Sequence, residues 1–338
     1  MSIVSLSNRL QVVGTSKTHR LSLVRIAEAR RFIDPQFLNS PQYEAETLGA
    51  LFGCRLIVKV EVLNPIRSFK ARGAQYLASQ IPAGSRLVCS TAGNFGQGVA
   101  VAARKYGHQL TVFSATDANP LKIERMRTLG ATVCQVGKDP DETHDATQAH
   151  AWDTRATLVA DGRESAIAEG AGTIAVELMR WPEPFDTVLV PVGDGSLISG
   201  VGRWIKAHAP NVRVVGVCSS RAPAMLRSWE SGRVTLVAAR ETIADGLSIS
   251  TPYAEALGDL DGVIDDIVLV DDPALVEGMR LAQRELAVVL EPSGAAGLAA
   301  LATYRKRFQG QVVATILTGG NVTPEQLHDW LMAKFVEN

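Results

Sequence analysis

From residue 56 onward, short apolar runs alternate with longer stretches of mixed polarity. Residues 56–62, 87–89, 110–113, 132–136, 187–192, 213–217, 267–270 and 312–317 are dense in β-branched and aliphatic side chains and read as buried strands. Between them lie helical patterns: one opened by 93–98 and running through Val99 to Tyr106, one over 120–129 closed by Gly130, an amphipathic one near 142–152, and one over 172–179. Strand and helix alternating at this spacing imply βαβ units, hence an α/β protein with open, mainly parallel sheets covered by helices. The first forty-odd residues are weakly patterned and are expected to wrap the surface or serve an oligomer contact. No internal repeat, low-complexity tract or Gly/Ser linker interrupts the chain.

Length and composition sharpen this. A chain of 338 residues is long for one core and suits two lobes. The expected break lies near 82–84 with a return near 161–162, giving a large lobe of 1–82 plus 163–338 and a small lobe of 83–162. Apolar residues make up 46% and charged residues 20%, so a substantial core is available. Thirty-four basic and 35 acidic side chains nearly cancel, which argues against a nucleic-acid or polybasic membrane surface but not against a small anion site. No apolar run reaches membrane-spanning length and the N-terminus lacks a signal-peptide core. Cys54, Cys89, Cys134 and Cys218 are dispersed, without a CxxC pair or a His at ligand spacing, as in a reduced cytoplasmic protein.

Candidate chemistry gathers where strands give way to helices, the place at which parallel sheets collect ligands. The run 56–62 leads into Ser68-Phe69-Lys70-Ala71-Arg72-Gly73, where Ser68 can cap a helix starting at Phe69 or Lys70 and an amine stands at its mouth. Ser90, Thr91, Ala92, Gly93, Asn94, Phe95 and Gln97 precede another helix, whose free N–H groups suit a carboxylate. Gly193, Asp194, Gly195, Ser196 and Leu197 form a short loop able to approach a phosphate closely, although it is neither a Walker loop nor a complete dinucleotide fingerprint. Asp194 is expected to turn its carboxylate away from such a dianion. In 291–296, helix capping by Ser293 explains most of the pattern, and Thr318-Gly319-Gly320-Asn321 is either a turn or a hydroxyl presented to a flat ring. Each loop alone is equally well a tight turn. Together, a lysine, a carboxylate loop, a phosphate loop and a neutral hydroxyl describe the needs of pyridoxal phosphate.

In order and spacing, these motifs resemble those of the fold-type II pyridoxal-phosphate enzymes, in particular the threonine dehydratase and serine racemase branch. The resemblance runs from about Asn39 to Asn321 and includes Ala244-Asp245-Gly246-Leu247 and Glu291-Pro292-Ser293-Gly294-Ala295. It implies two sheets in large and small lobes with the cofactor between them, and Lys70 as the Schiff-base lysine with Phe69 beside it. It further implies Asn94 at the cofactor, residues 193–197 as the phosphate cup, Thr318 at the ring nitrogen, and 90–97 as the substrate-carboxylate loop. Departures bear on the reaction: Asp194 and Ser196 replace cup glycines, Phe95 replaces a histidine, and Ala92 stands where racemases carry a hydroxyl. Cys218-Ser219-Ser220 lacks the glutamate of metal-dependent members, so no metal is expected; monovalent-cation activation is left open. The chain stops soon after the last motif, so no regulatory domain is expected.

The implied activity is α,β-elimination from a β-hydroxy-α-amino acid of the L-threonine or L-serine type, giving a 2-oxo acid and ammonia. Phenylserine or 3-hydroxyaspartate is the alternative substrate, and a β-replacement enzyme or threonine synthase the alternative on the same scaffold. Lys70 is expected to act as base, with burial lowering its pKa from about 10.4. A homodimer or homotetramer is the implied assembly.

Overall fold

The computed structural model describes residues 19–332 apart from 92, 139 and 239. Ten strands occur among them: β1 (Gln42–Glu44), β2 (Arg55–Val60), β3 (Arg86–Ser90), β4 (Gln109–Ser114), β5 (Thr132–Gln135), β6 (Thr157–Leu158), β7 (Thr187–Pro191), β8 (Arg213–Ser219), β9 (Asp266–Val270) and β10 (Val312–Leu317). A six-stranded sheet runs β1-β2-β10-β7-β8-β9 and a four-stranded one β5-β4-β3-β6. All pairings are parallel except the edge pair β1–β2. The chain is α/β with two open, mainly parallel sheets, and every run read as a strand is one.

The strands are apolar throughout because both faces are covered. Along β2 and β7 the alternation of side chains divides the interior. Val58, Val60 and Leu189 enter a cluster with helices Asp272–Leu286 and Ala296–Thr303. Ile57, Val188 and Val190 enter another with helices Ser165–Leu178 and Ser196–His208. A third cluster joins helix Asn94–Tyr106 to Leu87, Cys89, Leu110 and Val112 of the smaller sheet.

Residues 19–40 wrap the surface: helix Leu23–Ala29 lies against Ser165–Leu178, and Arg20 and Arg25 pair with Asp259 and Glu169. Residues 1–18 lie outside the described residues. No helix among the described residues is long and apolar enough to cross a membrane.

This topology lines up three loops. β2, β10 and β7 are neighbours, so the segments leaving their carboxyl ends (to Lys70, to Thr318 and to Gly193) emerge side by side. The first two are also stitched together. Ser68 bridges Gly319, the Phe69 N–H donates to the Thr318 carbonyl at 3.2 Å, and the Gly320 N–H donates to the Arg67 carbonyl at 3.0 Å.

Candidate active site

Lys70 stands one residue before helix Ala71–Ala78, as its N-cap. The helix therefore starts later than the sequence suggested, and Ser68 does not cap it. Its hydroxyl accepts only a 3.4 Å bond from the Lys70 N–H, because the backbone of 67–69 is committed to 318–320. Two residues on, Arg72 is fully buried. Its guanidinium donates to Glu61 at 2.8 and 2.9 Å and to Glu177 at 2.8 and 2.9 Å, while Lys59 Nζ donates to Glu177 at 2.7 Å. These four charges clamp the helix that carries Lys70. Burial works against the Glu177 carboxylate, but the Arg72 hydrogen bonds and charge, with Lys59, hold it down at about 2.

A cavity of about 230 Å³ opens above Lys70. Phe69, Lys70, Ser90, Thr91, Gly93, Asn94, Phe95, Gly193, Asp194, Gly195, Ser196, Leu197 and Thr318 all line it, so residues from four separate loops converge. Gln97 does not reach it; it is buried, with its amide 3.4 Å from Asn94 Oδ1. Ala92 lies outside the described residues.

Two helix N-termini face this space. Helix Asn94–Tyr106 starts after Gly93 and helix Ser196–His208 after Gly195, and neither has a side-chain cap. Their first N–H groups are therefore free for anions. Gly195 sits at φ 93°, a left-handed conformation that lets the loop fold back onto the helix start.

Asn94 is held from two sides: its amide donates to Glu291 Oε1, and its Oδ1 accepts from Asn321 Nδ2 at 2.7 Å. Ser293 is not a helix cap. The segment Pro292–Ala295 is a 3-10 turn entered from Glu291, and the Ser293 hydroxyl is buried, without a hydrogen-bond partner, on the cavity wall with Thr318.

The electrostatics differ from expectation at Lys70. Burial does work against the Lys70 ammonium, but Asp161, hydrogen-bonded to Nζ, together with Asp194 and Glu291 outweighs it and raises the pKa. Asp194 lines the cavity and interacts with both Asp161 and Lys70. Burial, then the like charge of Asp161, push Asp194 up to about 7.

Asp161 and Lys122 are two charged site residues that sequence reasoning missed, and His144 and Tyr253 line the cavity with no sequence signal either. Asp161 lies in the stretch read as a lobe crossing. Lys122, inside helix Pro120–Thr128, is 2% exposed and pairs with Asp245 at 2.5 Å and Glu291 at 3.4 Å. The buried Cys89 and Cys218 thiols are pushed up to about 12 by burial, which removes them as nucleophiles. Among the described residues no group of three His, Cys, Asp or Glu side chains could hold a metal ion.

Compared with known proteins, residues 33–319 match the family model described as pyridoxal-phosphate dependent enzyme. The chain belongs to this family. Among relatives in this pyridoxal-phosphate dependent family, L-threonine ammonia-lyase of Thermotoga maritima is 32% identical over 305 residues, 89% of this chain and 76% of that protein. L-threo-3-hydroxyaspartate ammonia-lyase of a Pseudomonas species is 32% identical over 290 residues, 85% of this chain and 91% of that protein. The solved T.th. threonine deaminase superposes with a TM-score of 0.85 at 32% identity, covering 89% of this chain and 99% of that one. Maize serine racemase gives 0.86 at 27% identity, covering 94% and 98%.

Proposed function

We propose that this chain is an ammonia-lyase that eliminates water from a β-hydroxy-α-amino acid of the L-threonine or L-serine type, yielding a 2-oxo acid and ammonia. The observation that carries the reading is the Lys70 amine at the mouth of a helix, in a cavity faced by two uncapped helix N-termini and a partnerless buried hydroxyl. These features fit pyridoxal phosphate. The free amides of 193–197 would hold its phosphate, Lys70 its carbonyl carbon, Asn94 its phenolic oxygen, and Thr318 with Ser293 its ring nitrogen. Bound there, the cofactor supplies an electron sink for the charge left when Cα loses a proton.

The protein's part is binding and proton handling. Thr91, Ser90 and the amides after Gly93 take the substrate carboxylate, and Phe95 makes that wall apolar. Lys70 removes the α-proton once its own amine is neutral. The raised pKa means that it first gives a proton up, and Asp161 is the group hydrogen-bonded to it. Thr318, a neutral hydroxyl, leaves the ring nitrogen without a countercharge, which favours loss of a β-substituent over transamination. The four-stranded sheet lies wholly within 86–158, which supports 83–162 as a lobe that closes on substrate. Assembly as a homodimer or homotetramer in the cytoplasm completes the reading.

Lys70→Ala tests the proposal. The purified variant is expected to lose both the visible absorbance of lysine-bound cofactor and ammonia release from L-threonine, L-serine, 3-hydroxyaspartate and phenylserine. Retained turnover without that absorbance would sink it.

A further inference from the structure

Hydroxide is a poor leaving group, so removing water across Cα–Cβ needs a proton donor at the β-oxygen as well as a base at Cα. Asp161 and Asp194 both line the cavity beside Lys70. Asp161 is nearly buried, with 5% of its side chain exposed; its Oδ2 holds Lys70 Nζ and its Oδ1 accepts from the Gly162 N–H at 3.0 Å. The loops carrying the two acids touch through their backbones: at Gly162 (φ 78°), an added Cβ would stand 2.5 Å from the Asp194 carbonyl oxygen. Asp194 occupies a loop otherwise suited to glycine, so its carboxyl adds a function that anion binding by backbone amides does not require.

Resting on the dehydratase reading above, we propose that Asp161 and Asp194 act as a carboxyl pair that shares one proton and delivers it to the departing β-oxygen. Two carboxylates forced together with little water cannot both ionise, and the proton belongs to the pair. The upward shift of Asp194 to about 7 agrees with this. The charged or titratable groups that act on the pair are Lys70, which pulls the other way, and Tyr253, itself beside Arg163 and Glu255; Lys122, Asp245 and Glu291 line the same cavity. His144 also lines the cavity, but its Nε2 is engaged by the Gln148 amide at 2.8 Å.

The proton count closes. Lys70 takes the α-proton, and the electrons of the Cα–H bond become the second pair between Cα and Cβ. The Cβ–O pair leaves with oxygen, which accepts the carboxyl proton and departs as water. The proton on Lys70 Nζ then crosses to Asp161, which restores the pair and leaves a neutral amine.

The test compares L-serine, whose leaving group needs a proton, with β-chloro-L-alanine, whose chloride needs none. Asp194→Asn, with Asp194→Gly as a smaller replacement, is expected to lower kcat/KM for L-serine 100-fold or more, about the weight of general acid catalysis, and that for β-chloro-L-alanine by less than about threefold. The wild-type alkaline limb with L-serine, where the pair deprotonates, should vanish in both variants. His144→Gln should leave the serine-to-chloroalanine ratio unchanged. In the holoenzyme without substrate, Asp161→Asn removes the charge beside Nζ, so the visible absorbance of the lysine-bound cofactor should titrate about one pH unit lower or more. Equal losses on both substrates, an unshifted titration, or a ratio that follows His144 overturns the pair. Wild-type enzyme inactive on all hydroxy amino acids overturns the dehydratase reading and the pair together.

Discussion

The Lys70 amine has Asp161 on its nitrogen, with Asp194 and Glu291 close enough to act on its charge. Its place was legible because a β-rich run breaks into a helical pattern just there, and the same change marks Asn94, Gly193 and Thr318. Asp161 and Lys122 carry no such mark. Asp161 becomes a site residue through β6, a strand of 2 residues with no hydrophobic run to announce it. Lys122 sits on a helix of charged composition and is buried only because Asp245 and Glu291 meet it from distant parts of the chain. The sign of the Lys70 shift could not be read either, since it depends on these unseen acids. At Gly195, φ 93° is a conformation that L side chains enter at a cost of about 1–3 kcal/mol. Gly195→Ala is therefore expected to lower the unfolding free energy measured in urea by that amount and to speed cofactor release, followed by the decay of its absorbance on dilution.

At the scale of elements, the long strands were found because they are apolar on both faces; β1, with 3 residues, was not. The helix after Lys70 is fixed less by its own sequence than by Arg72, which ties it to Glu61 on the segment after β2 and to Glu177 on helix Ser165–Leu178. Removing one partner from such a network leaves buried charge uncompensated, at about 3–5 kcal/mol. Glu177→Gln should lose stability in that range in equilibrium denaturation. It should also flatten the acid limb of stability. Because the folded pKa of Glu177 is depressed, its contribution is complete above the ordinary carboxylate value of about 4.5 and is lost as pH falls toward about 2. Wild-type protein should weaken across that window, and the variant less.

Across the whole molecule, strand–helix alternation implied parallel sheets, and the family resemblance implied two of them, but neither carried the strand order. β10, last in chain order among the ten strands, lies between β2 and β7, and no local pattern records that. This placement also sets a timetable. While the polypeptide is emerging from the ribosome, β2 and β7 can form, but each presents an unpaired edge toward a missing neighbour, and the Lys70 segment lacks the 318–320 backbone that fixes it. Parallel edges left open invite pairing with other chains. Arrested nascent chains ending near residue 310 should therefore be protease-sensitive across 187–270 and prone to aggregate. Release of the remaining segment should confer protection on both halves of the large sheet at once, a synthesis-order effect readable by pulsed proteolysis.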